Sequence, residues 1–181
     1  MKDTSITIKY FFSAIAAVLV TWFIHEFAHW ATSEALGYET IMRLNSATPV
    51  KGQNVSKAHH IITSAAGPLI TILQAIILFF FLKKSWNKFL YLFLFIPFYM
   101  RLLAGLFNVF NPNDEGRISE YYGLGLYTLP IVVSLSLFIL VFKISKQYQL
   151  PKKFHLITYL IATFLITILI LSDQYFKIRI F

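Results

Sequence analysis

Long apolar segments recur along this chain and are separated by short polar segments. Five of the apolar segments are long enough to cross the roughly 30 Å hydrocarbon core of a bilayer as helices. They cover residues of about 10–36, 59–82, 89–110, 121–142 and 154–171. The pattern therefore predicts an all-α polytopic membrane protein with about five transmembrane helices.

Composition agrees with this interpretation. The 181 residues are 57% hydrophobic and 13% charged, whereas about a quarter of the residues in a soluble domain are charged. We expect one membrane domain over 1–181, multi-pass in the cell membrane and embedded in the lipid bilayer. No small-residue cleavage site follows the first apolar segment, so no removable signal peptide is expected.

The distribution of charge and the lack of cysteine exclude some partners and some kinds of metal site. The net charge is +8, but the basic residues are spread over short loops between helices, as in polytopic membrane proteins. Nucleic acid is therefore not an expected partner. The chain has no cysteine, so a zinc site would have to use His, Asp or Glu.

The first span ends in an H-E-x-x-H motif, formed by His25, Glu26 and His29. Residues four apart lie on one face of a helix, so both imidazoles can point at one metal ion. Glu26 can then accept a proton from a water at that metal. Ionisable groups are costly after an apolar run such as 11–24, which favours a functional site over a helix end at the membrane interface.

Two histidines leave a third ligand to be found. Asp114 is preferred, because it follows Asn-Pro-Asn, a sequence that unwinds helices, and the adjacent Glu115 is the alternative. Asp114 could instead, or also, cap the fourth span. His59 and His60 are weaker candidates. Counting spans puts His25, Asp114 and the Gly-Pro pair early in span two on the same side of the membrane.

The chain resembles the site-2 protease family of intramembrane zinc metalloproteases in three stretches. His25–His29, followed by Gly37, is similar to its H-E-x-G-H segment, and Ala65–Leu69 is similar to its A-G-P element. Residues 107–118 are similar to its F-N-x-x-P…D-G-G-R-I segment. The likeness covers about 15–125. The departures are Ala28 and Glu115 where the family has glycines, Thr71 where asparagine often stands, and an Asn-to-Asp interval about two residues short.

This resemblance implies a zinc-dependent endopeptidase that cleaves in or near a transmembrane segment of a membrane-protein or peptide substrate, as in regulated intramembrane proteolysis. It implies one Zn²⁺ bound by His25, His29 and Asp114, between transmembrane helices 1 and 4, with Glu26 as the base. The catalytic core would cover about 10–142. A regulatory membrane partner is possible.

Substrate contacts are predicted from the residues near this site. The amides of Asn108 and Asn111 could pair with an unwound substrate backbone, or could serve only the Asn-Pro turn. The polar segment 38–57 is predicted to form a loop or hairpin at the membrane surface, which could pair with an extended substrate. Arg101, inside the third span, is expected to face the interior and to pair with a carbonyl or carboxylate.

Two other functions and the orientation are left open. The histidines and Asp114 could form a metal-transport or sensing site of a protein that is not an enzyme, or the protein could be a scaffold. A metalloprotease of another fold would need a later glutamate such as Glu120. The membrane side on which the odd-numbered spans begin carries nine basic residues, and the other side carries six. The positive-inside rule therefore favours the first side as cytoplasmic, whereas the resemblance, which places the catalytic centre near the cytosol, favours the second.

Overall fold

The fold is described from a computed structural model, which covers residues 2–181. Six α-helices form in chain order: α1 Ile8–Ala35, α2 Lys57–Lys84, α3 Lys88–Leu106, α4 Asp114–Tyr121, α5 Thr128–Gln147 and α6 Lys152–Phe176. All except α4 are long and apolar enough to cross a membrane. The prediction of a helical, multi-pass chain with five spans is confirmed at this level, by length and composition.

Side chains in the loops set where several helices begin. The Ser56 hydroxyl accepts from the backbone N–H of His59 at the start of α2. Asn113 accepts from the backbone N–H of Gly116 at 2.7 Å at the start of α4. These bonds satisfy backbone donors that have no partner inside the helix. Since Asn113 caps α4, Asp114 lies in its first turn instead of capping it.

The prediction of a fourth span over 121–142 was wrong in its position. Helix α4 ends at Tyr121, and α5 begins only at Thr128. Between them Gly123 and Gly125 have φ values of 69° and 83°, a left-handed conformation that ends a helix and is easy only for glycine. The short helix that carries Asp114 is therefore separate from the fourth spanning helix.

A β-hairpin connects α1 to α2. Strands β1, Thr40–Arg43, and β2, Ser46–Pro49, pair antiparallel, with Thr40 opposite Pro49. The hairpin predicted within 38–57 is thus present. The last residues of the chain pair with the other edge of β1, because the backbone N–H of Ile180 donates to the Met42 carbonyl at 2.8 Å and that of Met42 donates to the Phe181 carbonyl at 3.1 Å.

Helix α3 is the most enclosed of the spanning helices. Its side chains pack against α1, α2 and α5, and Tyr91, Leu92 and Ile96 are fully buried. The other spanning helices keep large apolar side chains on their outer faces, as lipid contact requires. Examples are Phe12, Leu69, Phe80, Ile131 and Phe164.

Candidate metal centre

The last turns of α1 bring the two motif histidines together. The Nε2 atoms of His25 and His29 lie 3.1 Å apart, and both residues are buried. This is the geometry expected of residues one helical turn apart on the same face. The structure therefore aims both imidazoles at a single point.

The first turn of α4 brings a carboxylate to the same point. Oδ2 of Asp114 lies 3.2 Å from His25 Nε2 and 3.3 Å from His29 Nε2. The three candidate ligand atoms all lie within 4.8 Å of one another. Of the two adjacent acidic residues considered above, the structure brings Asp114 to the histidines, whereas Glu115 points to an arginine.

A backbone carbonyl fixes the orientation of His29. The Nδ1 atom of His29 lies 2.7 Å from the carbonyl oxygen of Thr63 in α2. A carbonyl can only accept, so Nδ1 carries the hydrogen and donates it. In the neutral imidazole this leaves the lone pair on Nε2, directed at Asp114, which is the orientation a metal-binding histidine adopts.

One oxygen of the Asp114 carboxylate already has a hydrogen-bond partner. Its Oδ1 accepts from Nη2 of Arg117. Arg117 is held in turn, because its Nη1 donates to the Pro112 carbonyl at 2.8 Å. Oδ2 is thereby directed at the histidines and at Arg101.

These contacts place acceptor atoms against each other. The lone pair of neutral His29 and Oδ2 of Asp114 are both electron-rich, yet they lie only 3.3 Å apart. A proton or a metal ion between these atoms would relieve this contact, and two imidazole nitrogens with one carboxylate oxygen are a donor set that fits zinc.

Gly67 of α2 makes room for both imidazoles. A Cβ atom built at this position would lie 2.3 Å from His29 Nε2 and 2.4 Å from His25 Cε1, much closer than atoms can approach. The Gly-Pro pair of α2 therefore lies where this helix approaches α1 closely, and α2 continues through Pro68 without a break.

Arg101 of α3 lies directly beside the cluster. Its Nη1 is 3.2 Å from Asp114 Oδ2 and 3.3 Å from Glu115 Oε2, and its Nη2 is 3.3 Å from His25 Nε2. The pairing with carboxylates agrees with the expectation for a cation inside a span. Its position next to the histidines was not predicted, although it is the only arginine or lysine inside the third apolar segment.

A cavity of about 910 Å³ opens onto the cluster. Glu26 lines this cavity next to the histidines and is 6% exposed. The β2 strand lines it as well, and so does α6, through residues that sequence reasoning did not single out: Thr163, Thr167 and Gln174. Nothing in their spacing marked them, because isolated polar residues on an apolar helix are common.

The two asparagines considered for substrate binding differ in their surroundings. Asn108 is buried, and its Oδ1 accepts from the backbone N–H of Asn113 at 2.6 Å while its Nδ2 donates to the Leu126 carbonyl. Both of its polar atoms thus serve the turn. Asn111 is exposed and lines the cavity. Its role in substrate binding stays a prediction.

The remaining histidines lie outside the cluster. His59 Nδ1 is 2.8 Å from the Tyr38 hydroxyl, and His155 Nδ1 is 3.3 Å from the Tyr91 hydroxyl. His60 lines the cavity without joining the three ligand atoms.

Comparison of the chain with protein-family models, with curated proteins and with solved structures found no match. The fold and the site alone define the class. By their length and composition, the five apolar helices indicate a multi-pass membrane protein, and the buried His25 and His29 with the half-buried Asp114 could hold one metal ion.

Proposed function

We propose that this protein is an intramembrane zinc metalloendopeptidase similar to the site-2 protease family. It would cleave a peptide bond in or near a transmembrane segment of a membrane-protein substrate. One observation carries the proposal: the ligand atoms of His25, His29 and Asp114 lie within 4.8 Å of one another, beside Glu26 in a shared cavity.

The donor set supports zinc. Two imidazole nitrogens and one carboxylate oxygen are a known catalytic zinc set, and three protein ligands leave a fourth position for water or substrate. When bound, zinc would supply a Lewis acid that polarises the scissile carbonyl and activates water. His29, fixed by the Thr63 carbonyl, and Asp114, fixed by Arg117, would hold it.

Glu26 is the residue for proton transfer. It follows His25 directly, so its side chain points to a neighbouring sector of α1, where it lines the cavity. In the proposed reaction a Glu26 carboxylate oxygen takes a proton from the attacking water. It then delivers this proton to the nitrogen of the leaving amine.

The hairpin supports recognition of an extended peptide. A substrate helix must unwind before its carbonyls can be attacked, and an unwound segment needs new backbone partners. One edge of β1 is already paired with the end of the chain, while β2 lines the cavity through Ser46, Ala47 and Thr48. A substrate strand would therefore be added at β2, with Asn111 as a further donor or acceptor.

The test is cleavage of a panel of single-span substrates in liposomes by the wild type and by Glu26→Gln, with bound zinc measured in both. We expect the wild type alone to cleave, and the variant to retain zinc, because the glutamate is a base and not a ligand. Absence of zinc from both proteins after purification with added metal would refute the proposal that this protein is a metalloprotease.

The same experiment distinguishes the protease from the alternative, a membrane protein that is not an enzyme. A metal-transport, sensing or scaffold protein would retain zinc in both proteins, cleave no substrate of the panel, and lose no function on Glu26→Gln. A transport path would require polar groups along the whole membrane depth. The cluster lies at one end of α1, which favours the enzyme.

A further inference from the structure

Two acidic side chains next to each other in sequence compete for the same region of the candidate metal centre. Asp114 and Glu115 both lie in the first turn of α4. A glutamate reaches one methylene further than an aspartate, and either carboxylate can bind zinc. Some feature of the chain has to decide between them.

Arg101 contacts both carboxylates through the same atom. Its Nη1 lies 3.2 Å from Asp114 Oδ2 and 3.3 and 3.4 Å from the two oxygens of Glu115. Both Glu115 oxygens thus face the guanidinium, whereas Asp114 shares Oδ2 between Arg101 and the two histidines. Glu115 is only 2% exposed, so water cannot replace this partner.

We propose that Arg101 is a positioning residue that selects Asp114 over Glu115 as the third metal ligand, because it holds the Glu115 carboxylate away from the histidines. The inference rests on the proposed zinc centre. It also explains why Glu115 pairs with Arg101: a buried carboxylate needs a buried cation, and the third span supplies this arginine.

The inference predicts a rescue. Without the guanidinium, Glu115 would be a buried carboxylate with no cation except the metal. It should then act as the replacement ligand when Asp114 cannot. A purely structural role for Arg101 predicts the opposite, since losing a second buried group would only add to the damage.

The experiment measures zinc affinity of the full chain in detergent, by competition with a chromophoric chelator. Asp114→Asn should weaken binding by at least about tenfold, the lower end of what even outer-shell changes cost. Adding Arg101→Met to Asp114→Asn should raise the zinc affinity again by about tenfold. Adding Glu115→Gln to this double variant should abolish that recovery. Arg101→Lys in the Asp114→Asn background is the matched control, because lysine keeps a cation beside Glu115 and should give no recovery.

The outcomes separate this inference from the proposed function. If the wild type binds no zinc, the centre itself is refuted. If it binds zinc but Asp114→Asn binds equally well, or if the folded Asp114→Asn/Arg101→Met protein shows no recovery, the selection by Arg101 is refuted. Helix content by circular dichroism and a single gel-filtration peak establish folding. If the apolar methionine prevents folding, Arg101→Gln replaces Arg101→Met.

Discussion

Gly67 determines whether the two imidazoles can occupy their positions. A Cβ here would lie 2.3 to 2.6 Å from three ring atoms of His25 and His29. We expect Gly67→Ala to displace both rings and to weaken zinc binding by at least about tenfold, as disturbed ligand orientation does. Overpacking should also cost about 1–3 kcal/mol of unfolding free energy. Chelator competition and thermal unfolding measure the two effects.

Gly105→Ala is the matched control for this substitution. Gly105 is also a helical glycine, but its added Cβ would meet Pro130 Cβ at 3.4 Å, an ordinary contact. We expect zinc affinity to stay within about twofold, since surroundings that need not move leave distant ligands in place. Equal loss of zinc in both variants would show that the histidines do not depend on the space at Gly67.

At this scale the sequence predicted the histidine pair because four-residue spacing fixes their common face within one helix. It favoured Asp114 but left Glu115 open, because adjacent residues share the same loop context and chemistry. The choice that we infer depends on Arg101, thirteen residues before Asp114 and on another helix, and on how α3 packs against the start of α4. Such a contact has no signature in local sequence.

At the scale of the elements, the last residues of the chain pair with the free edge of β1 and so extend the hairpin. The Ile180 N–H donates to the Met42 carbonyl at 2.8 Å, and Phe181 stacks on Trp30 with ring centroids 5.0 Å apart. Ile180→Pro removes that donor and should release the segment, at a cost of about 1 kcal/mol for the hydrogen bond. Faster amide exchange at Met42, whose N–H donates to the Phe181 carbonyl, reports the release.

Ile180→Ala is the control, because it shortens the side chain and keeps the backbone N–H. We expect Met42 to remain protected from exchange in this variant. Equal exchange in the alanine and proline variants would mean that the side chain of Ile180, and not its backbone, anchors the segment.

The N-terminal segment is attached to α3 by an ion pair that depends on pH. Lys88 Nζ lies 2.6 Å from Asp3 Oδ2, and the hydrogen bond from Lys88, with those from Ser5, lowers the pKa of Asp3 below its usual value. Because the folded pKa is lowered, the stabilisation is present above the usual aspartate pKa of about 3.9. It is lost as the pH falls through the lowered value.

Limited proteolysis of the N-terminal segment measures this effect in the wild type and in Asp3→Asn. At neutral pH the variant should be cut faster, and the difference should shrink as the pH falls well below about 4. A difference that is independent of pH would indicate that the carboxylate charge is not what anchors the segment.

The break before α5 shows what hydropathy cannot resolve. Residues 121–142 are apolar enough to suggest one span, yet Gly123 and Gly125 adopt positive φ and divide the segment. The side chain of Ser119 in α4 supports the turn by donating to the Gly125 carbonyl. The number of spans follows from apolar length, whereas their ends depend on such turn contacts.

In the molecule as a whole, five spanning helices put successive loops on alternating sides of the membrane. The loops at Asn54 and Tyr122 would then share one side, and the loop at Ser85 and the end of α5 at Gln147 the other. The candidate metal centre lies near the Asn54 side, because its residues come from the last turns of α1 and the start of α4. Its exposure to cytosol or exterior therefore depends on orientation alone.

The absence of cysteine allows each loop to be labelled singly, and all four positions are exposed. Asn54→Cys and Tyr122→Cys should react together with a membrane-impermeant maleimide, from the side opposite to Ser85→Cys and Gln147→Cys. The distribution of basic residues predicts that the Ser85 side is cytoplasmic, so intact cells should label Asn54→Cys and Tyr122→Cys. Labelling of the other pair instead would place the centre at the cytosolic face, and labelling of Asn54→Cys with Ser85→Cys would refute five alternating spans.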